Sequence, residues 1–418
     1  MRQPILRQRK NLKLVNVLLL SPFFFPEAIS TGKYNTCLAE ALVSAGHGVS
    51  VISSHPVYPD WRPEISFASL PGMKIQRGGE WIRYPASGVL RRALLELWYA
   101  GYALSRYTRL TDKPDIVISV FPPSLFFLLL NLWMPRSALR VGIAHDLQGV
   151  YAARTGGLLY RTLNFAIHLV EKKCFNACDK MIFLSSSMAG RAIAEYQLDA
   201  TRCSVHYPFV TLTDEIQNSG PRLDALSPDA FNVVYSGALG VKQNPYGLFA
   251  FMNKISGTQE NVQCHIFSAG PVFDQLRAAK QNDDGCKVHL HPLVPTHQLA
   301  ELYTRSDVQI IPQALNTSEG SLPSKLPNLL AAGVPVFVIC EPGGELGELI
   351  ESADAGVVAH TWDSDELAGQ FKMYKEKLIA ESKAARRQRL QAFVNRRFNI
   401  KTLVGDVLSV ASKKEKQK

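Results

Sequence analysis

The stretch EGSLPSKLPNLLAAGVPVFV, residues 319–338, carries the clearest structural signal in the sequence. A short apolar run precedes it, VQIIP at 308–312, which indicates a buried strand. After a loop, Pro323 and Ser324 form an N-cap pair that predicts the start of a helix. Gly333 would end this helix, and VPVFV would begin the next buried strand. The pattern predicts a strand–helix–strand unit of a parallel sheet.

The same alternation extends along most of the chain. Further strands are predicted at 13–20, 115–120, 138–144, 180–185, 231–237, 262–270, 287–292 and 334–340, and helices at 32–45, 88–109 and 156–178. A polar linker is predicted at 211–230, because this stretch is rich in Gly, Pro and Ser. The sequence therefore predicts the α/β class, with two Rossmann-like doubly wound domains at 11–210 and 231–394. A helix at about 395–412 is expected to pack back on the first domain.

Length and composition agree with this organisation. A chain of 418 residues suits two domains, and 46% hydrophobic with 20% charged residues excludes a mostly disordered protein. Lys and Arg number 46 against 36 Asp and Glu, so the formal net charge is +10. This excess indicates an anionic partner, which could be nucleic acid, a membrane face or a phosphorylated substrate. No recognised nucleic-acid motif is present, so we predict no nucleic-acid partner.

The expected location is the cytoplasm. The seven cysteines are scattered and form no CxxC pair, which is typical of reduced thiols. The apolar run at 14–20 follows basic residues as in a signal peptide, but Pro22 and Pro26 favour a strand and a loop. The run at 124–134 has about half the length that a membrane-spanning helix requires. We therefore expect no transmembrane helix, and contact with a membrane only at its inner surface.

Three strand ends carry candidate phosphate ligands. Gly32 lies at the start of the first predicted helix, where exposed N–H groups favour an anion. In YSGALGVKQ, Gly237 and Gly240 let the backbone approach a ligand, and Lys242 can reach phosphate oxygens. Neither a Walker loop nor GxGxxG is present, so a turn with a solvated lysine is the alternative.

Lys325 is the strongest single candidate. It would lie in the first turn of the helix in LPSKLPNLLAAG, where the helix dipole disfavours a cation unless an anion lies between them. This placement predicts a phosphate held jointly by backbone N–H groups and Lys325. The alternative is a surface lysine that is tolerated at a modest cost.

This region also carries a family resemblance. Residues 307–340 resemble the donor-binding segment of the family 4 glycosyltransferases, which have the GT-B fold. LPSKLPNLLAAG is similar to the subgroup that contains the colanic-acid-type exopolysaccharide glycosyltransferases. Other similar segments occur in the same order at 21–61, 235–243, 294–313 and 343–356, and the resemblance covers roughly residues 13–380.

The resemblance implies GT-B architecture, with two domains facing a central cleft, and a retaining hexosyl- or deoxyhexosyltransferase that uses a nucleotide-diphosphate sugar without a metal or other cofactor. In the family's two-glutamate segment, this chain has Gly320 and Asn328, with Glu319 only adjacent. Glu345 and Glu348 remain candidate ribose or sugar contacts. The implied donor-binding residues are Gly32, Gly237, Gly240, Lys242, Ser324, Lys325, Asn328, Glu345 and Glu348.

AHDLQGVY, residues 144–151, follows a predicted strand of the first domain. His145 and Asp146 are similar to a His-Asp pair of the family, and they could contact the transferring sugar or orient the acceptor hydroxyl. The alternative is a pair that caps a strand–helix turn. With Lys242 and Lys325, these two residues form the predicted catalytic set.

Two patterns that suggest metal ligands are better explained otherwise. Asp363-Ser364-Asp365 has the DxD form, but it precedes an amphipathic stretch and is expected to cap a helix. His289 and His291 alternate on a predicted strand without Cys or carboxylate neighbours, so no metal site is predicted.

The predicted helix at 88–109 combines arginines with Leu, Trp and Tyr side chains. This composition suits an anionic membrane surface, or equally a buried helix with a solvated basic edge. The resemblance implies a polyprenyl-diphosphate-linked saccharide as acceptor, in exopolysaccharide, capsule or O-antigen biosynthesis. A soluble acceptor, a sugar-nucleotide epimerase of the same fold and a basic nucleic-acid-binding protein are the rival hypotheses.

Overall fold

The computed structural model describes residues 14–27, 29–147, 158–212, 216, 223–281, 285–315 and 322–415, and side chains are described outside 158–163 and 412–415. The chain divides into two compact units. The first comprises Met1–Phe183, Ala189–Val205 and Ile400–Lys418, and the second comprises Leu184–Met188 and His206–Asn399.

A seven-stranded parallel sheet forms the first unit. Its strands are β1 (Asn16–Leu20), β2 (Gly48–Ser54), β3 (Met73–Gly78), β4 (Ile116–Phe121), β5 (Leu139–Ala144), β6 (Lys180–Phe183) and β7 (Cys203–Val205). They lie in the order β3-β2-β1-β4-β5-β6-β7. The interior strand β4 is buried at every residue, as expected for a sheet that is covered on both faces.

The second unit contains a six-stranded parallel sheet. Its strands are β8 (Phe231–Ser236), β9 (Val262–Ser268), β10 (Val288–Pro292), β11 (Val308–Pro312), β12 (Val336–Ile339) and β13 (Gly356–Ala359). They lie in the order β10-β9-β8-β11-β12-β13. Successive residues pack on opposite faces, because Val234 and Ile311 belong to one buried cluster and Val233 and Ile310 to the other.

Helices connect the strands. They are α1 (Ser30–Ser44), α2 (Gly88–Thr108), α3 (Leu125–Asn131), α4 (Leu158–Ala177), α5 (Ser186–Tyr196), α6 (Pro245–Thr258), α7 (Pro271–Gln281), α8 (Leu299–Arg305), α9 (Leu326–Ala331), α10 (Glu345–Ser352), α11 (Ser364–Ala380), α12 (Lys383–Arg397) and α13 (Ile400–Glu415). Within the first unit, α13 packs on α1 and β5. The Asp406 carboxylate of α13 pairs with the Lys180 ammonium and accepts a 2.8 Å hydrogen bond from the Ser204 hydroxyl. Within the described residues, none of the helices has the combination of length and hydropathy that crossing a membrane requires.

Each sheet has one point where the strand order reverses. In the first unit it lies between β1 and β4, and in the second between β8 and β11. Ligands of such sheets bind outside the carboxyl ends of the strands at this point. Each unit therefore has one edge that is suited to a ligand.

The predicted fold class is confirmed. The sequence did not predict β3, which pairs only with β2 and buries only Gly78 completely. An edge strand of this kind is half-exposed, so MKIQRG lacks the apolar run by which the other strands were recognised.

Candidate functional site

The Lys325 side chain lies where β8 and β11 end. Its Nζ atom donates hydrogen bonds to the carbonyl oxygens of Ser236, at 3.3 Å, and Ile310, at 3.1 Å. The same atom lies 4.4 Å from the centre of the Tyr235 ring. Burial lowers the pKa of Lys325 to about 7. In the described part of the chain no carboxylate pairs with this ammonium, so its charge is left for an external anion to neutralise.

The helix that follows begins later than the sequence predicted. It starts at Leu326 and has six residues, and Lys325 occupies its N-cap position without a side-chain capping bond. The prediction that Pro323 and Ser324 cap it is therefore wrong, and Ser324 is exposed. Lys325 precedes the helix instead of lying in its first turn, because the backbone turns at Pro323, whose carbonyl accepts the Leu326 N–H at 3.0 Å.

The loop after β8 shares this edge of the sheet. Gly237 directly follows Ser236 and has φ +143°, a conformation that favours glycine. The Gly240 N–H donates to the Gln243 side chain at 2.9 Å. Lys242 is exposed, and its carbonyl accepts the Ala314 N–H at 2.8 Å, which ties this loop to the segment after β11. The structure thus brings Gly237 to Lys325 and places Lys242 on the solvent side of the same loop.

Asn328 has a different set of contacts. Its side chain is buried, and its carbonyl oxygen accepts the backbone N–H groups of Thr211, at 2.8 Å, and Leu212, at 3.1 Å. Its amide nitrogen donates to the Thr211 hydroxyl at 3.1 Å. These bonds hold the 211–212 segment against α9. Glu319 and Gly320, the other positions considered in this segment, lie outside the described residues.

Glu345 and Glu348 both lie in the first turn of α10. The Glu345 carboxylate accepts the backbone N–H groups of Ser186, at 2.7 Å, and Ser187, at 2.8 Å. Burial alone would raise the pKa of Glu345, but these hydrogen bonds outweigh it and hold the pKa below its usual value. Glu348 is exposed. The two carboxylates therefore have different surroundings although both were predicted as donor contacts.

In the first unit, His145 directly follows β5. Its backbone N–H donates to the Phe121 carbonyl at 2.9 Å, and its ring contacts the Tyr34 ring edge-on, with centres 4.7 Å apart. Burial lowers the pKa of His145 to about 4, so the ring is neutral at pH 7. Its Nε2 atom has no hydrogen-bond partner among the described residues. The half-buried Asp146 carboxylate accepts the Leu147 N–H at 2.9 Å.

Gly32 is buried in α1 for a packing reason. A Cβ atom at this position would lie 2.9 Å from the Glu27 carbonyl oxygen. Glu27 is itself buried, and its carboxylate accepts the backbone N–H groups of Val57, at 2.8 Å, and Tyr58, at 3.2 Å. The sequence reasoning missed Glu27. The signal was a single acidic residue in an otherwise apolar loop, after Pro26.

Tyr235 was also missed. Its position just before the Ser-Gly strand end was the available signal, since the ring of a strand's last residues lies beside whatever occupies that edge. The short distance from its ring to the Lys325 Nζ makes it part of the site.

No group of three or more His, Cys, Asp or Glu side chains in the described residues could hold a metal ion. Asp363 caps α11 by accepting the N–H groups of Asp365 and Glu366 at 3.1 and 2.9 Å, as the helix-cap interpretation predicted. His289 and His291 stack with the buried His265, whose Nδ1 lies 3.1 Å from the His291 Nε2.

Two family models match the chain. The model described as Glycosyltransferase Family 4 matches residues 31–214, and the model described as Glycosyl transferases group 1 matches residues 230–374. A curated relative from Escherichia coli K12, with the provisional name colanic acid biosynthesis glycosyl transferase WcaI, is 24% identical over 363 residues. That alignment covers 81% of this chain and 86% of the relative.

Solved structures share the fold at low identity. Sucrose-phosphate synthase from Thermosynechococcus elongatus superposes with a TM-score of 0.71 at 16% identity, covering 97% of this chain and all of that one. An Escherichia coli structure titled trehalose-6-phosphate, bound with UDP-2-fluoro glucose, has a TM-score of 0.63 at 11% identity. It covers 94% of this chain and 99% of its own.

Proposed function

Because this chain belongs to the family 4 glycosyltransferases of the GT-B fold, we propose that it transfers a sugar, with retention, from a nucleotide-diphosphate sugar to a lipid-linked saccharide. The relative named for colanic acid biosynthesis supports a role in exopolysaccharide, capsule or O-antigen assembly. The structural relative bound with UDP-2-fluoro glucose supports a sugar nucleotide as donor.

One observation carries the donor assignment. The Lys325 ammonium lies at the strand-order reversal of the second sheet, and its partners there are the Ser236 and Ile310 carbonyls and the Tyr235 ring. A buried charge without a counter-ion is costly, and a diphosphate would supply that counter-ion. Gly237 lies next to Ser236, so the backbone could approach the same phosphates closely.

The proposed chemistry follows the movement of charge. The bond between the anomeric carbon and the phosphate oxygen breaks, and its electron pair stays on the nucleoside diphosphate. Lys325, with Lys242 on the same loop side, would stabilise this charge with ammonium groups instead of a metal ion. The acceptor hydroxyl oxygen bonds to the anomeric carbon on the face that the phosphate leaves, and its proton passes to the leaving phosphate oxygen.

His145 would contact sugar hydroxyls as a neutral ring. A pKa of about 4 leaves it uncharged at pH 7, and its Nε2 has no other hydrogen-bond partner in the described residues. A neutral imidazole can donate or accept one hydrogen bond at this atom, depending on the tautomer. The proposed role of Asp146 is to support the same sugar contacts from the adjacent position.

The acceptor is proposed to be a polyprenyl-diphosphate-linked saccharide at the cytoplasmic face of a membrane. α2 buries Leu95 and Tyr99 and leaves Leu90 and Leu97 exposed beside its arginines. Apolar and basic side chains on one exposed helix surface suit an anionic bilayer, which supports peripheral attachment.

Binding measurements with purified protein test the donor assignment. We expect one member of a panel of UDP-, GDP- and dTDP-sugars to bind, and Lys325→Met to weaken its binding at least tenfold, because a buried charged contact is lost. Lys372→Met, at an exposed position on α11, is the matched control and should bind as the wild type does. If no sugar nucleotide binds, or if Lys325→Met binds like the control, the proposal is wrong.

The acceptor requires a separate assay. Transfer that needs a lipid-linked saccharide would support the proposal, whereas full transfer to a soluble saccharide would replace it with the soluble-acceptor hypothesis. Conversion of the donor sugar without any acceptor would instead identify an epimerase.

A further inference from the structure

Three aromatic side chains meet in the loops of the first unit. The Trp61 ring contacts the Phe23 ring, with centres 6.2 Å apart, and the Tyr84 ring, with centres 5.5 Å apart. Phe23 follows β1, Trp61 follows β2 and Tyr84 follows β3. All three therefore project from the carboxyl edge of the sheet, which is the ligand-binding edge of this fold.

The backbone at Trp61 is in an unusual conformation. Its φ is 54°, in the left-handed region that a bulky side chain rarely adopts. Such a conformation costs free energy and is typical of residues that are held in place for binding. Glycine would fit the backbone better, so the indole ring itself is the feature that this position supplies.

Arg91 covers the same ring. Its guanidinium carbon lies 4.3 Å from the centre of the Trp61 ring. Among the described residues, the Arg91 guanidinium has no hydrogen bond or ion pair, so its donors are open to a ligand. No acidic residue lies in the first turn of α2, where Arg91 is followed by Arg92. A stacked guanidinium with open donors suits the oxygens of a phosphate.

Exposed apolar side chains flank this cluster. Ile65 and Phe67, in the loop that contains Trp61, are 63% and 90% exposed. Trp81, in the loop that contains Tyr84, is 70% exposed, and Leu90, next to Arg91, is 60% exposed. Exposed large apolar residues beside basic ones are typical of a surface that meets a lipid bilayer.

We propose that Trp61 and Arg91 bind the head of a lipid-borne acceptor, with a sugar ring against Trp61 and a phosphate of the lipid diphosphate on Arg91. This inference rests on the proposed function and names the part of the first unit that recognises its acceptor. The exposed Phe67, Trp81 and Leu90 side chains favour a lipid-borne ligand over a free sugar phosphate. In the same loops, Asp60 and Glu64 are also exposed, so the anion site is local to Arg91.

The test uses vesicles and the full chain. Phosphatidylcholine vesicles carry undecaprenyl diphosphate, the same lipid bearing N-acetylglucosamine, or phosphatidylglycerol at equal negative charge. We expect the wild type to bind both diphosphate lipids about tenfold more tightly than phosphatidylglycerol, and the glycosylated lipid most tightly. Arg91→Ala should weaken binding of both diphosphate lipids about tenfold. Trp61→Gly should weaken only the glycosylated lipid, about fivefold, because stacking is lost.

Controls separate a binding role from a structural one. Arg109→Ala, at the far end of α2, should leave all three affinities unchanged, because 18 residues of helix place it about 27 Å away. Trp61→Gly should keep the wild-type melting temperature or raise it, since glycine accepts the left-handed backbone. Sugar-nucleotide binding, measured on the same samples, should stay at the wild-type level in every variant.

Several outcomes would overturn the inference. Equal binding to phosphatidylglycerol would identify a plain anionic-membrane surface, and wild-type affinities in both variants would remove the two residues from recognition. Free N-acetylglucosamine 1-phosphate that competes as strongly as the lipid would replace the lipid with a soluble ligand. Failure of the proposed function would appear elsewhere, as absent sugar-nucleotide binding in the wild type.

Discussion

The affinity for the sugar nucleotide should fall as pH rises through neutrality, because Lys325 would bind the diphosphate only as an ammonium. Burial lowers the pKa of this lysine to about 7 in the free protein. A diphosphate at Nζ would return the pKa towards its ordinary value of about 10.4. Below pH 7 the free protein already carries the proton, so full affinity is present. Above pH 7 the complex must take up a proton, so affinity is lost.

The size of this effect follows from the free-protein pKa. If only the protonated lysine binds, affinity falls almost tenfold for each pH unit above 7. Between pH 6.0 and 8.5 the dissociation constant should rise about 30-fold, equivalent to about 2 kcal/mol. Burial lowers the pKa of His145 and His291 to about 4, so these residues do not titrate in this interval. The donor's diphosphate also keeps its charge there.

Isothermal titration at several pH values, in buffers of different ionisation enthalpy, measures both the affinity and the proton uptake. The wild type should take up close to one proton per donor at pH 8.5 and almost none at pH 6. Lys325→Met should bind weakly with a flat profile, whereas Lys242→Met should keep the wild-type slope, because Lys242 is exposed. A wild-type affinity that is constant from pH 6.0 to 8.5, or an unchanged slope in Lys325→Met, would refute the reasoning.

Three further predictions follow from the buried contacts. His145→Ala should lower kcat at least tenfold and leave the dissociation constant of the donor within twofold; an unchanged kcat would return His145 to a structural role. Gly32→Ala should reduce the free energy of unfolding of the first unit by about 1–3 kcal/mol in urea titrations, because the new Cβ would meet the Glu27 carbonyl oxygen; Gly101→Ala, with open space around it, is the control. Asn328→Ala should destabilise the second unit by about 1–3 kcal/mol, since two backbone N–H groups lose their acceptor, and a loss of donor affinity without a loss of stability would contradict this role.

The fold was predictable because most strands are buried on both faces. Such strands are short apolar runs that stand out between amphipathic helices, and their parallel arrangement follows from the alternation. β3 escaped prediction because, as an edge strand, it does not need that apolar run. The start of α9 was misplaced because Ser324 has the composition of an N-cap, whereas the backbone turns one residue later.

The aromatic cluster illustrates a different limit of sequence reasoning. Phe23, Trp61, Tyr84 and Arg91 come from four separate segments, and no periodicity links their positions. Neither the positive φ of Trp61 nor the open guanidinium of Arg91 can be read from residue types. Both depend on how three loops converge at one edge of the sheet.

Sequence reasoning selected Lys325 and His145 for the same reason, since each is a nitrogen-bearing side chain near a strand end. Their surroundings then separate them. Lys325 has two carbonyl partners and a pKa of about 7, so an arriving anion can fix its charge. His145 is packed against Tyr34 with a pKa of about 4, so it stays neutral at every pH where the protein would work. Stabilisation of the leaving diphosphate is therefore expected from the second unit, and uncharged hydrogen bonding to sugar hydroxyls from the first. Residues 89 positions apart, such as Ser236 and Lys325, create this difference, which is why residue type and spacing could nominate the two side chains but could not assign their charge states.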